Sequence, residues 1–139
     1  MIRTFIDAGV LITAARVGDE HAERAAAILD DPNRVFASSI FLKMEVLPKA
    51  IYNRQSPEVN FYESFFDSVS YWATDVEQII QRAYQESCQF GLGAMDSLHI
   101  AAAISIGATE FITHEKAGRS IYRTSSIKIL STRRYPFFD

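Results

Sequence analysis

The candidate strands of this sequence are short and apolar rather than alternating. Met1–Ile6, Val35–Ala37, Val69–Ala73 and Glu110–Thr113 read this way, with Ile127–Leu130 as a fifth. A strand that is apolar on both faces needs cover on both faces, and a parallel sheet between helical layers supplies it. The intervening segments are helical. Val10–Ala15 starts one helix. Glu20–Leu29 is an alanine-rich second, stopped by Asp30-Asp31-Pro32-Asn33. Ser38 or Ser39 caps a third that runs to about Tyr52, with a kink or early end expected at Pro48. Ser56-Pro57-Glu58 opens a fourth, to about Phe66. Asp75 caps a fifth to about Phe90, with Val76, Ile79, Ile80, Ala83 and Tyr84 expected on one buried face. After the turn Gly91-Leu92-Gly93, Ala94–Ile106 is apolar nearly all round and is expected deep in the core, ended by Gly107. Strands alternating with helices give an α/β fold: a three-layer α/β/α sandwich around a mostly parallel central sheet of four to five strands.

The chain has 139 residues, a size for one domain over 1–139 with a single substantial core. No apolar stretch approaches the roughly 20 residues of a membrane span, and Met1–Asp7 lacks the features of a secretory leader. The single cysteine, Cys88, forms no internal disulfide and reads as a small apolar helix residue, so a cytoplasmic setting is expected. Net charge is −3, but its distribution is uneven. Residues 1–115 carry 8 basic and 16 acidic side chains, whereas 116–138 carry six basic ones, Lys116, Arg119, Arg123, Lys128, Arg133 and Arg134, and no acid. A basic section beside an acidic body suits a phosphate-bearing partner, or equally a solvated surface.

Four acids stand beside apolar runs: Asp7 after Thr4-Phe5-Ile6, Glu45 within Ile40–Leu47, Asp96 before Leu98–Ile104, and Glu115 after Phe111-Ile112-Thr113. Carboxylates are seldom buried unless paired, hydrogen-bonded or metal-bound. Asp7 and Glu115 fall at the carboxyl ends of strands, where open parallel sheets bind ligands. Asp96 falls in a first helical turn, and Glu45 lies one to two turns into its helix. One sheet edge can collect all four into a hard, oxygen-rich cation site. Singly, each has a plainer reading: Asp7 as a helix cap, Glu45 as a partner of Lys49, Asp96 as a first-turn acid, Glu115 as a surface acid beside Lys116.

In order and spacing, Thr4–Ile12, Ser39 with Glu45, Met95–Ala103 and Phe111–Lys116 resemble the PIN-domain superfamily, in particular the small single-domain nucleases of the VapC toxin type. The resemblance runs from Ile2 to about Lys116, and the segment around Asp96 is its most specific part. It implies a metal-dependent endoribonuclease using Mg²⁺ or Mn²⁺. Asp7, Glu45 and Asp96 match the three central acids, and Thr113 matches a small hydroxyl residue before the fourth. Glu115 stands where Asp is usual and reaches one methylene further; Ala8 stands where Ser or Thr is frequent. By the same resemblance, the partners are an RNA substrate, a cognate antitoxin and a second copy of the chain. The homodimer is expected to use the apolar surface of helices around Tyr52–Phe66. The other reading is an inactive PIN-like module that holds RNA or protein.

Lys116, Arg119 and Arg123, with Arg133 and Arg134, are candidate phosphate contacts. His99 reads as a packed helix histidine. His114, without an HExxH or Cys/His cluster, gives no zinc site, and His21 carries no assignment. Phe61, Tyr62, Phe65, Phe66, Tyr71 and Trp72 read as core or partner-facing aromatics.

Overall fold

The computed structural model describes residues 1–137. Five strands, β1 (Ile2–Ile6), β2 (Arg34–Ser39), β3 (Tyr71–Ala73), β4 (Glu110–Thr113) and β5 (Lys128–Ser131), form one sheet in the order β3-β2-β1-β4-β5. Every neighbouring pair is parallel. Six helices connect them: α1 (Ala8–Ala15), α2 (Ala22–Leu29), α3 (Ile40–Tyr52), α4 (Ser56–Ser68), α5 (Val76–Phe90) and α6 (Ala94–Ser105).

Successive side chains of a strand point to opposite faces, and both faces are covered here. Phe5, Ala37 and Phe111 face one way and pack with Ile79, Ala83, Ile100 and Ala101 of α5 and α6. Ile6, Phe36 and Ile112 face the other way and pack with Leu11, Ile28, Leu42 and Phe65 of α1 to α4. Phe5 and Phe111, partners across the β1–β4 pair, stack with ring centroids 5.5 Å apart. The small residues Ala101, Ala102 and Ala103 let α6 lie close against the sheet, and all three are buried.

α3 runs to Tyr52 as expected, and of the two outcomes expected at Pro48 the early end does not occur. Pro48 is exposed, and the Met44 carbonyl it frees lies on an exposed residue where water can satisfy it. The apolar face expected on α5 is split. Ile79, Ala83 and Glu86 are buried, whereas Val76, Ile80 and Tyr84 are exposed. Adjacent helical positions lie about 100° apart, so a helix that docks along one seam against α6 cannot bury both rows. Glu86 turns inward because its carboxylate is held on both sides: Oε1 accepts from Arg82 Nη2 at 3.4 Å and Oε2 accepts from Thr124 Oγ1 at 3.2 Å. The loop after β4 is thereby fastened to α5.

At the amino end of the sheet a buried polar cluster joins three strands. Glu110 Oε1 accepts from Thr4 Oγ1 at 2.8 Å and from Arg34 Nε at 2.9 Å, and Arg34 also pairs with Asp31. Removing one partner of a buried ion pair leaves an uncompensated charge. Glu110→Ala is expected to lower unfolding stability by about 3 kcal/mol, read from urea denaturation. A loss below about 1 kcal/mol would mean that Asp31 alone satisfies Arg34.

Candidate active site

The strand order reverses at β1: the chain leaves β1 toward β2 and β3, then crosses back to place β4 on the other side of β1. The crevice at such a switch point opens beyond the carboxyl ends of the two strands. Asp7 follows β1 directly, and its N–H donates to Ile112 O of β4 at 3.0 Å. Asp7 is also the N-cap of α1, its Oδ1 accepting from Val10 N at 3.3 Å. The cap reading and the site reading therefore describe the same side chain.

The remaining acids come from three other elements. Ser39 at the end of β2 caps α3, its Oγ accepting from Leu42 N at 3.4 Å, and Glu45 stands in the second turn. Asp96 lies in the first turn of α6, half-buried. Glu115 follows β4. Its N–H donates to Thr113 Oγ1 at 3.1 Å, and its carboxylate lies 3.7 Å from Arg119 Nε at the surface.

The four charges sense one another. Burial pushes the Asp7 carboxyl up to about 6. The Thr113 hydroxyl, the Val10 N–H and His99 favour its charged form, while Asp96 opposes it. The Asp96 carboxyl is also raised, first by burial and then by Glu115 and Glu45, with His99 acting the other way. The acids thus share one edge of the sheet but do not enclose a point. Among the described residues, no three His, Cys, Asp or Glu side chains stand close enough together to surround a metal ion.

His99 is more than a packed residue. It is buried one helical turn beyond Asp96, and its ring tilts against Phe5 at 6.2 Å. Its Nε2 lies 2.7 Å from Glu45 Oε2. Nδ1 is buried with no partner among the described residues. The proton therefore belongs on Nε2, which donates to Glu45 and fixes that carboxylate's direction. The expected alternative, Glu45 paired with Lys49, is not among the ion pairs of the described residues. The signal for His99 was its i+3 spacing from Asp96, which puts both on one helix face. Its partner on α3 is 54 positions away.

A cleft of about 180 Å³ opens beside Asp7, lined by Gly9, His114, Glu115, Lys116, Arg119 and Arg133. Three of the candidate phosphate contacts, Lys116, Arg119 and Arg133, therefore adjoin the acids. Arg123 does not line this cleft; its Nη1 lies 3.5 Å from Gly91 O. Arg134 lies with Tyr122 and Ile129 on a different surface depression. His21 also lies near, its ring 5.1 Å from that of His114 in an edge-on contact. Burial, Arg133 and His21 lower the His114 pKa, which favours the neutral ring.

The donor set fits a hard divalent ion. All four candidate ligands are carboxylates; Asp96 opposes ionisation of Asp7, and Glu115 and Glu45 oppose that of Asp96, a repulsion that a cation relieves. A magnesium-like ion retains several waters and needs only one or two direct carboxylates, so an open arrangement suffices.

Ionised Asp7 carries a stability cost whose sign is definite. Its folded pKa of about 6 lies above the ordinary 3.8. The folded state thus holds the extra proton, and stability falls as pH rises from about 4 to about 6. Two units correspond to about 2–3 kcal/mol. Asp7→Asn keeps a good N-cap and removes the charge. The variant is expected to melt above the wild type at pH 7.5 without added metal and to match it near pH 4. Equal melting temperatures at both pH values would contradict the burial cost.

The PIN domain family matches residues 4–123 of the sequence. No curated protein matches the chain in sequence. Among solved structures, the fold is similar to VapBC2 from Rickettsia felis bound to a DNA fragment from their promoter, with TM-score 0.71 and 13% identity over 94% of this chain and 98% of that one. It is similar to DNA-bound VapBC from Salmonella typhimurium, with TM-score 0.69 and 19% identity over 95% and 99%. VapBC-1 from nontypeable Haemophilus influenzae gives TM-score 0.69 and 16% identity over 96% and 100%. At these identities the likeness is one of fold. The family match begins in β1 and extends past β4, so it contains all four acids and both strands of the switch point: the chain belongs to the PIN domain family.

Proposed function

We propose that this protein is a Mg²⁺- or Mn²⁺-dependent endoribonuclease that hydrolyses RNA phosphodiester bonds. The observation that carries this reading is the gathering of acids at the β1–β4 switch point, where burial and the Asp96 charge raise the Asp7 pKa and burial, Glu115 and Glu45 raise that of Asp96. Carboxylates held where ionisation is costly are positioned for a task that needs negative charge there. A bound divalent ion would neutralise charge on the scissile phosphate and make a coordinated water more acidic.

The chain's own residues have distinct parts in this reading. Asp7 and Asp96 are the direct ligands. Thr113 steadies the Asp7 carboxylate and the backbone of Glu115. Glu45, held by His99 Nε2, orients the attacking water and accepts its proton. Glu115 reaches in through water, as suits its exposure and its loose pairing with Arg119. Lys116 and Arg119 offset the repulsion between these acids and an incoming phosphate.

The similar structures are of VapBC assemblies. By that analogy, we infer that this protein is the toxin of a toxin–antitoxin pair and that a cognate antitoxin covers the acids. Homodimerisation follows from the same analogy. In the Tyr52–Phe66 segment expected to serve it, Tyr62, Phe65 and Phe66 are buried, whereas Tyr52 is exposed, as is the adjoining Ile51. A second reading, a binding-only PIN module, draws support from the separation of the carboxylates.

Calorimetric titration with Mn²⁺ and cleavage of single-stranded RNA separate the two. Binding is expected in the wild type and lost in Asp7→Asn and Asp96→Asn, with cleavage reduced more than about 100-fold and abolished by EDTA. His99→Gln is expected to cut cleavage about tenfold while Mn²⁺ affinity stays within a factor of two or so. Undiminished Mg²⁺-dependent cleavage by Asp7→Asn would remove the nuclease assignment.

A further inference from the structure

The cleft beside Asp7 contains a cation that the carboxylates of the described residues leave alone. Arg34, Arg82 and Arg119 each lie within 4 Å of an acid. Arg133 does not, among the described residues, although it is partly buried. Its fixed contacts are neutral. Nε donates to His114 O at 2.9 Å, and Nη2 lies 3.3 Å from His114 Nε2. A guanidinium only donates, so His114 Nε2 accepts, and His114 Nδ1 then donates to Thr132 Oγ1 at 2.6 Å. The backbone is pinned as well: Arg133 N donates to Ser131 Oγ at 3.1 Å, and Arg133 O accepts from Arg24 Nη1 at 3.1 Å. Arg133 is therefore set in place with N–H donors and a full charge to spare.

Gly9 links this guanidinium to the acids. It lies in the first turn of α1, and its φ is not in the positive region, so the backbone does not demand glycine. Glycine in a helix costs about 1 kcal/mol relative to alanine. A Cβ at Gly9 would lie 3.3 Å from His114 Cβ and 3.4 Å from Asp7 Oδ1, narrowing the passage between them. The missing side chain keeps the cleft continuous from Asp7 to Arg133.

We propose that this cleft is a subsite for a phosphate of the RNA strand next to the scissile one, with Arg133 as the contact residue and His114 as the residue that positions it. This rests on the ribonuclease reading and adds the side of the site on which the strand is held. An arginine fork with free N–H groups matches a phosphodiester better than a lysine does. A half-buried cation with no carboxylate partner among the described residues is a place where an anion gains more than at the open surface.

The test is binding of a short fluorescein-labelled single-stranded RNA, followed by anisotropy in Ca²⁺ over a range of salt. Arg133→Gln keeps a donor for His114 O and removes the charge. It is expected to weaken binding about tenfold and to reduce the salt slope by about 0.7, the value for one phosphate contact on a single strand. Lys128→Gln removes the same charge from the opposite end of β5 and is expected to leave the slope unchanged. His114→Ala removes the acceptor that holds Arg133 Nη2 and leaves the guanidinium itself in place, and is expected to raise KM for Mg²⁺-dependent cleavage severalfold with kcat nearly constant. A single methylphosphonate linkage, moved along the RNA, is expected to cost affinity at one position in the wild type and not in Arg133→Gln. If the wild type binds and cleaves RNA through Asp7 while Arg133→Gln retains the wild-type slope, the subsite is wrong and the nuclease reading stands. If the wild type neither binds nor cleaves RNA, both fall.

Discussion

The pairing of β1 with β4 governs this molecule. It sets Thr4 against Glu110, Phe5 against Phe111 and Ile6 against Ile112, although the two strands lie more than a hundred residues apart. A parallel pair needs a crossover, and everything between residues 7 and 109 supplies it. The register is held by apolar stacking in the middle, by the Glu110 cluster at the amino end, and by the Asp7 N–H on Ile112 O at the carboxyl end. A slip of one residue would put Phe5 and Phe111 on opposite faces, one of them against the wrong helical layer. It would also separate Asp7 from Thr113.

The same pairing creates the tension in the site. Asp7 lies under cover, with Asp96 close enough to oppose its ionisation and with Glu115 and Glu45 acting in turn on Asp96. The hydrogen bonds around them compensate only in part. Val10 N caps Asp7, Thr113 supports it, and His99 holds Glu45. Helix capping, strand-end geometry and charge clustering are thus imposed on the same few side chains. The basic wall formed by Lys116, Arg119 and Arg133 adjoins this negative edge rather than neutralising it, apart from the loose Arg119–Glu115 contact. An edge that is negative in the centre and positive at one flank suits a polyanion crossing a cation.

Much of the fold was legible because it is written in local patterns. Ser39 and Asp75 cap the helices that they precede, and Gly91 takes the left-handed conformation that closes α5. The central apolar strands β1, β2 and β4 are covered on both faces, as their lack of alternation required, whereas Tyr71 and Trp72 of the edge strand β3 are exposed. The misses lie where tertiary neighbours decide. Pro48 continues α3 because its face is solvated. The row Val76, Ile80 and Tyr84 stays exposed because α6 accepts only the adjoining row, with Glu86 drawn in by Arg82 and Thr124. In the site, the four acids stood out as carboxylates beside apolar runs. The Glu45–His99 contact did not, since neither residue has a local reason to need the other. Arg123 and Arg133 looked alike as charges in one basic section. Only one of them faces the acids.

By itself the amino-acid order determined the elements, the three layers, the family's acid pattern and the uneven charge. Each follows from periodicity, capping and residue type over a few neighbouring positions. The tertiary structure alone decided how close the carboxylates come, which of them burial makes harder to ionise, which histidine meets Glu45, and which arginine is left with donors to spare. Those depend on distances between segments that are remote along the chain, and burial and Coulomb energy vary steeply with such distances.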